Sequence, residues 1–435
     1  MILEQAPELA VAEPVVPESA VPWLLSGREQ AAVSAWSERL RPLTDRATEV
    51  ATGLAGRTAF EYRATVVGRE PEDFARGLAS LAPVRTSSGK PVFVFPGQGS
   101  QWAGMGVELL EASPVFRDAI ARCEAALAPY VDWSLTDAMA DAELLERVDV
   151  VQPVLFAMMV SLAELWRSHG VEPAAVVGHS QGEIAAACVA GALSLDDAAR
   201  VVALRSKLIA TELAGRGGMV SVATGAAEVE TLLTPWSDRL SVAAVNGPRT
   251  VVVSGEPQAL DELMAACEAQ EVRARRITVD YASHSAQVES IEAELATALA
   301  GITPSAGRLP IYSTVSGEPE LAQDMDAGYW YRNLRRTVRF REAIDAVLAQ
   351  GPAVFIEVSP HPVLVPSIAE AIDETEATAA TLGTLRRGES GPDRVTASLA
   401  EAWTHGIKVA WHDLLPTAAA PIDLPTYPFQ RQRYW

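Results

Sequence analysis

A chain that reads Val-Val-Gly-His-Ser-Gln-Gly-Glu at positions 176–183, and continues in small residues through Ala192, has few ways to fold there. The apolar run reads as a buried strand and the residues from Ile184 onward as a helix. Only a sharp turn joins the two. Glycines at 178 and 182 let strand, turn and helix approach without a Cβ clash, and the turn lifts Ser180 out of the sheet edge. A serine there sits at a helix N-terminus, where free N–H groups and the helix dipole stabilise an oxyanion. The plainer reading is a serine that caps an ordinary helix. The strand before it and the alanine-rich helix after it favour a nucleophile.

The rest of the 435 residues divides by rhythm into more than one core. Residues 22–26 read as a strand, 29–54 as one helical stretch, 62–67 as a strand and 71–81 as a second helix. A strand at 92–95, helical patterns at 104–127 and 153–170, and the strand before Ser180 then alternate as in a helix-covered parallel sheet. Between 219 and 279 the order becomes strand, helix, strand, strand, helix, strand, which is the ferredoxin-like arrangement. The expected fold class is α/β, with a small α+β N-terminal domain at 1–90. The large subdomain occupies 91–217 and 283–385, and a small subdomain at 218–282 is inserted in it. A C-terminal region at 386–435 ends in a proline-rich segment that cannot form a regular helix, and its aromatic residues are expected to pin it to an earlier surface.

The net charge of −21 argues against a nucleic-acid partner, because phosphate contacts need concentrated positive charge. Local basic clusters at Arg273, Arg275 and Arg276 and between Arg332 and Arg341 read as solvated faces or as a docking patch for an acidic partner. No apolar run reads as long enough to span a bilayer, and the first 22 residues lack the basic and apolar segments of a secretion signal. A cytoplasmic protein without a membrane partner is expected. Cys123, Cys188 and Cys267 are far apart among apolar residues, and are expected to be reduced packing residues. The phosphate-cradling lysine loop, the dinucleotide glycine motif and metal-ligand spacings are missing, so no bound cofactor and no metal site are expected. Cofactor-free acyl transfer through serine fits what is left.

A serine nucleophile needs a base, and there are six histidines. His179 adjoins Ser180, but neighbouring side chains diverge on such a turn. His169 ends a helix, His361 lies between two prolines, and His405 and His412 fall in the C-terminal region. His284 stands where the inserted subdomain returns the chain to the large one, and domain junctions commonly hold clefts. Asp280, four residues earlier, is one candidate to orient it, and a backbone carbonyl is the other. Arg205 reads either as a surface ion pair or as a bidentate clamp on a substrate carboxylate. Gln98 follows a strand end, where its backbone N–H is placed to serve as an oxyanion donor.

Several separated motifs then agree. Phe95-Pro96-Gly97-Gln98-Gly99-Ser100-Gln101-Trp102, Arg147-Val148-Asp149-Val150-Val151-Gln152-Pro153, Gly178-His179-Ser180-Gln181-Gly182-Glu183, Tyr281-Ala282-Ser283-His284-Ser285 and Ser359-Pro360-His361-Pro362-Val363-Leu364 together resemble the acyltransferase domain of modular type I polyketide synthases. The resemblance covers residues 91 to about 385. The flanks are similar to the ketosynthase-to-acyltransferase linker (from Pro22) and the post-acyltransferase linker (423–435). No ketosynthase or carrier-protein motif is visible, so a piece of a larger synthase is expected.

The resemblance implies an α/β-hydrolase-like large subdomain with a ferredoxin-like insert. It makes Ser180 the acylated nucleophile and His284 its base, the latter supported by a main-chain carbonyl. The N–H groups of Gln98 and Gln181 would form the oxyanion hole, and Arg205 would hold the carboxylate of an acyl-CoA donor. The phosphopantetheine of an acyl carrier protein would be the acceptor, with the parent module's ketosynthase as a further partner. In malonyl-selective relatives the positions matching Tyr281-Ala282-Ser283 tend to read His-Ala-Phe. Ser283 leaves room for a methyl branch, and Tyr281, Gln181 and the 147–152 stretch with Gln152 are typical of methylmalonyl-selective members. Methylmalonyl-CoA is therefore the expected donor, with malonyl-CoA weaker, since one methyl contributes only about 1–3 kcal/mol of discrimination. A thioesterase-like hydrolase and a non-catalytic scaffold are the rival readings.

Overall fold

The computed structural model describes residues 19–415 and 422–430. These fall into two compact units, one made of the described residues up to Thr86 and from Val395 onward, the other running Ser87–Arg394.

In the first unit, β1 (Val21–Gly27), β2 (Tyr62–Gly68) and β3 (Val84–Arg85) form an antiparallel sheet. Trp23 anchors it, fully buried, stacked on Phe74 at 4.4 Å between ring centroids and donating its indole N–H to the Ala47 carbonyl at 2.9 Å. The helical stretch expected over 29–54 is three pieces. Gln30–Leu40 and Ala47–Ala55 are α-helical, and a 3₁₀ segment at Arg41–Arg46 separates them. Pro42 is the cause, since its ring and missing N–H disrupt a continuing α-ladder. The C-terminal residues 422–430 have no helix or strand. Tyr427 fastens them by accepting the Arg28 N–H at 2.9 Å and packing edge-on against Phe60.

The second unit carries β4 (Lys90–Phe95), β5 (Ala175–Gly178), β6 (Gly218–Val222), β7 (Leu240–Gly247), β8 (Thr250–Gly255), β9 (Ala274–Ile277), β10 (Ile311–Tyr312), β11 (Pro319–Glu320), β12 (Ala353–Glu357) and β13 (Ala379–Gly383). Six of them make a sheet in the order β11-β10-β5-β4-β12-β13, parallel except for β11. The centre is the near-continuous apolar run of β4, β5 and β12, buried on both faces as helix-covered parallel strands must be. The strand that follows β4 pairs on one side of it, while β12 pairs on the other and leads outward to β13. That reversal opens a crevice at the carboxyl ends of β4, β5 and β12, the usual place for a ligand in an open α/β sheet.

Between β5 and β10 the chain builds a second, antiparallel sheet in the order β7-β8-β6-β9. With helices Ala226–Leu232 and Pro257–Ala269 this is the ferredoxin-like topology, with its own core around Val220, Val251, Val253 and Leu263. Its opposite side is not separate. Ala243, Ala244 and Val252 share one apolar cluster with Val92, Val177, Phe340 and Phe355 of the large subdomain.

Two helical expectations need correction. The pattern over 104–127 is two helices, Val107–Ala112 and Pro114–Leu127, because Ser113 caps the second through the Phe116 N–H and Pro114 starts it. The helical pattern expected over 153–170 is the helix Val148–Ser168, which carries the proline inside its second turn. There Pro153 forfeits one ladder bond, and burial on nearly all sides outweighs that loss. This helix is also long and apolar enough by composition to cross a bilayer, contrary to the reading that no such run exists. It is buried inside the fold, so the helix serves as the core of the large subdomain.

Candidate active site

The turn after β5 is as tight as its glycines require. A Cβ on Gly178 would lie 2.2 Å from the Glu183 Cα, and one on Gly182 would lie 2.2 Å from the Phe95 carbonyl oxygen. Between them Ser180 holds a left-handed backbone, φ +53°, a conformation that costs an ordinary residue about 1–2 kcal/mol. Strain of this kind persists only where surrounding bonds over-determine it. Here the His179 N–H donates to Phe95, and the N–H groups of Gly182 and Glu183 close back on the His179 and Ser180 carbonyls. The helix Gly182–Ala190 follows directly.

Ser180 Oγ lies 2.8 Å from His284 Nε2. His284 also has a left-handed backbone, φ +60°, and its own N–H donates to the Leu334 carbonyl. Its Nδ1 lies 2.7 Å from the Arg336 carbonyl oxygen. A carbonyl only accepts, so the proton sits on Nδ1 and the lone pair of Nε2 faces the serine. Burial pushes the imidazole down to about 3, with the Arg336 carbonyl pulling the other way. It is neutral at physiological pH, the state a general base requires. Asp280 does not orient this ring, since its carboxylate accepts the Gly215 N–H at 3.1 Å. The carbonyl alternative is the one the geometry adopts.

Arg205, on the helix Leu195–Leu208, is fully buried and lines the same cleft. The surface ion-pair reading is thereby excluded. Its Nη1 donates to Asn333 Oδ1 at 2.7 Å, and its Nε has no partner among the described residues. Burial lowers it to about 10, so it remains charged at neutral pH.

The glutamines are placed as follows. Gln98 and Gln181 both line the cleft, and neither backbone N–H has a hydrogen-bond partner among the described residues. The Gln181 side-chain amide is buried and unpartnered as well. Tyr281 donates its hydroxyl to Gln98 Oε1 at 2.8 Å and accepts from Gln152 Nε2 at 3.4 Å, which links three elements across the cleft. Ser283 is buried beside His284 and lines the cavity. Of the 147–152 stretch only Gln152 reaches the cleft, while Arg147 is exposed and paired with Asp149. His361 accepts the Arg387 N–H and is not among the residues that line the cleft.

The cleft is small, about 190 Å³. The large subdomain supplies most of its polar groups, and the insert supplies Asn246, Tyr281 and an apolar wall that includes Met219, Ala243, Val252 and Ile277. Val363 and Leu364 close the end nearest β12. Glu357 holds them there, its buried carboxylate accepting N–H bonds from Val363, Leu364 and Val365 at 2.7–2.9 Å. Burial raises that carboxyl to about 7, against the pull of those bonds.

Sequence reasoning missed Glu357, Glu183, Asn246 and Asn333. Glu183 is the last residue of the elbow motif and is fully buried, accepting from Tyr329, from Thr314 Oγ1 and from Asn333 Nδ2. An acid inside an alanine-rich helix was a readable signal. Asn246 Oδ1 meets His179 Nε2 at 2.7 Å, although Asn-Gly-Pro reads simply as a turn. Asn333 gave no signal, being one polar residue among arginines. Among the described residues no group of three or more His, Cys, Asp or Glu is placed to hold a metal ion.

A strained serine at a strand–turn–helix elbow, a neutral histidine on its Oγ and a buried arginine share one cleft, an arrangement compatible with acyl chemistry on an α/β scaffold. The comparisons with known proteins narrow this. The acyl transferase domain family matches residues 92–409. The acyltransferase domain from module 8 of the salinomycin polyketide synthase superposes with a TM-score of 0.87 at 52% identity, covering 90% of this chain and 97% of that one. Polyketide synthase GfsA of Streptomyces halstedii is 52% identical over all of this chain, and the pikromycin polyketide synthase component PikAII of Streptomyces venezuelae is 53% identical over the same extent. The chain belongs to the acyltransferase domains of modular polyketide synthases. It spans 6% of the length of GfsA and 12% of PikAII.

Proposed function

We propose that this domain moves a methylmalonyl unit from coenzyme A to the phosphopantetheine thiol of an acyl carrier protein, by way of an ester on Ser180. His284 Nε2 takes the Ser180 proton as Oγ attacks the thioester carbonyl. The N–H groups of Gln98 and Gln181 receive the oxyanion, and collapse expels the coenzyme A thiolate, which regains a proton from the imidazolium. The carrier thiol then gives its proton to His284, attacks the acyl-serine and restores the free serine. Arg205 binds the donor carboxylate throughout, which favours carboxylated over simple acyl groups.

The observation that carries this reading is the pairing of Ser180 and His284 at 2.8 Å in a cleft that also holds a buried, under-partnered arginine. A plain hydrolase has no use for that cation. Support for the methyl branch is the small Ser283 beside the base, with an apolar wall opposite. The ketosynthase of a parent module is the proposed downstream partner. The test is a chase. Protein preloaded from labelled methylmalonyl-CoA is split between buffer and a holo carrier protein, and the label is followed. Transfer to the carrier faster than release to water is the expected result. Faster hydrolysis, indifferent to carrier, would replace this proposal with a thioesterase.

A further inference from the structure

A fully buried arginine almost always pairs with a carboxylate, because an uncompensated charge in low dielectric is costly. Arg205 has one nearby. Glu183 is also fully buried, yet the two make no ion pair among the described residues. Asn333 stands between them. Its Oδ1 accepts from Arg205 Nη1 at 2.7 Å, and its Nδ2 donates to Glu183 Oε2 at 2.8 Å and to the Ser180 carbonyl at 3.2 Å. The amide orientation is fixed by chemistry, because a guanidinium only donates while a carboxylate and a carbonyl accept.

We infer that Asn333 is a positioning residue that keeps Arg205 available to the donor carboxylate by separating it from Glu183. This rests on the reading of Arg205 as the carboxylate clamp. The amide gives Arg205 a neutral acceptor that fixes the guanidinium without neutralising it. Glu183 meanwhile is satisfied by Tyr329, Thr314 and Asn333 and does not need the arginine. The charge left over on Arg205 is what an incoming carboxylate meets. The second N–H of the amide ties the same unit to the Ser180 carbonyl, so one side chain sets clamp and nucleophile in register.

The test moves the buried carboxyl group from position 183 to position 333. The double variant Glu183→Gln with Asn333→Asp puts the carboxylate directly against Arg205, and Asn333→Ala is a second, independent variant. Steady-state kcat and KM are measured with methylmalonyl-CoA and with the uncharged propionyl-CoA, with thermal melting to confirm folding. In the double variant KM for methylmalonyl-CoA rises, and the kcat/KM ratio of methylmalonyl to propionyl falls at least about tenfold, the loss of one charge-assisted hydrogen bond. Asn333→Ala moves the ratio the same way by less, and alone decides the matter if the double variant does not fold. A purely structural role would depress both donors together and leave the ratio unchanged, which overturns the inference. Arg205→Ala separates the two levels. If it leaves the ratio intact, the clamp reading itself fails. If it collapses the ratio while neither Asn333 variant moves it, only the role of Asn333 fails.

Discussion

The six-stranded parallel sheet and the four-stranded insert face the same cleft with different materials. The parallel sheet brings its strand ends, and with them Gln98, Ser180 and the Glu357-held loop at Val363 and Leu364. The Ser180 turn is closed by backbone hydrogen bonds with the serine strained in place, Gln98 is held through its side chain by Tyr281, and the loop by the Glu357 carboxylate. The insert brings side chains from the face of a sheet, chiefly Met219, Ala243, Val252 and Ile277, with Asn246 as its polar contribution against His179. One side holds the proposed reacting groups, and the other supplies an apolar wall. Substitutions on the two sides should therefore fail in different ways.

The largest effect belongs to the elbow. Ser180→Ala should lower kcat/KM by at least about 10⁴-fold, with the fold retained, as expected when a nucleophile is removed and only binding contributions remain. A variant that kept substantial turnover would break the division at its root. Arg205→Ala comes next. Losing a charge-assisted pair to a carboxylate should cost methylmalonyl-CoA about 100-fold or more in kcat/KM and leave propionyl-CoA nearly unaffected. A smaller shift sharpens the comparison further. Ser283→Phe, which fills the space beside His284, should reduce the methylmalonyl-to-malonyl preference by about 10- to 100-fold, the range a methyl-sized change in a pocket supports. Loss of both donors equally would mean the phenylalanine had displaced the base. On the insert, Ile277→Ala should be the mildest, changing KM a few-fold with kcat unchanged, as read from initial rates over a donor series.

His284 gives a pH signature from the rigid side. In the proposed mechanism the free base is the active form, and the acid limb this group contributes falls at the imidazole's folded-state pKa. Burial holds that value near 3, against an ordinary 6.5. The limb that His284 contributes should therefore lie below about pH 5.5, where an exposed histidine would already be mostly protonated, apart from any change near pH 7 from the buried Glu183 and Glu357 carboxyls. An acid limb near pH 6.5 in a single-turnover profile would place the base in contact with water.

How much of this was legible follows from the range of the forces involved. The elbow was readable because its glycines and serine answer to local sterics within eight residues. The order of the insert was readable because strand and helix periods alternate cleanly through 218–277. His284 was marked by its place at the chain's return, but its partner was not, since the Arg336 carbonyl lies 52 positions away and a backbone atom carries no sequence signal. Arg205 kept two readings because helix periodicity does not say whether a neighbouring element covers that face. Asn333 was invisible for a related reason. Its partners Ser180, Glu183 and Arg205 are 128 or more residues distant, and nothing in the helix Ala327–Arg335 distinguishes it from a solvated residue. Proline misled in opposite directions, breaking the helical pattern at Pro114 but tolerated at Pro153, where the buried surface of a 21-residue helix outweighs one missing bond.

The central claim is that Ser180, with His284 and Arg205, carries a methylmalonyl ester. Intact-mass spectrometry of the wild-type protein and Ser180→Ala, each mixed with equimolar malonyl-CoA and methylmalonyl-CoA, tests it most directly. The account predicts a methylmalonyl adduct in large excess over malonyl on the wild type, and no adduct on the variant. An adduct that survives in Ser180→Ala, or equal malonyl and methylmalonyl adducts on the wild type, would contradict it.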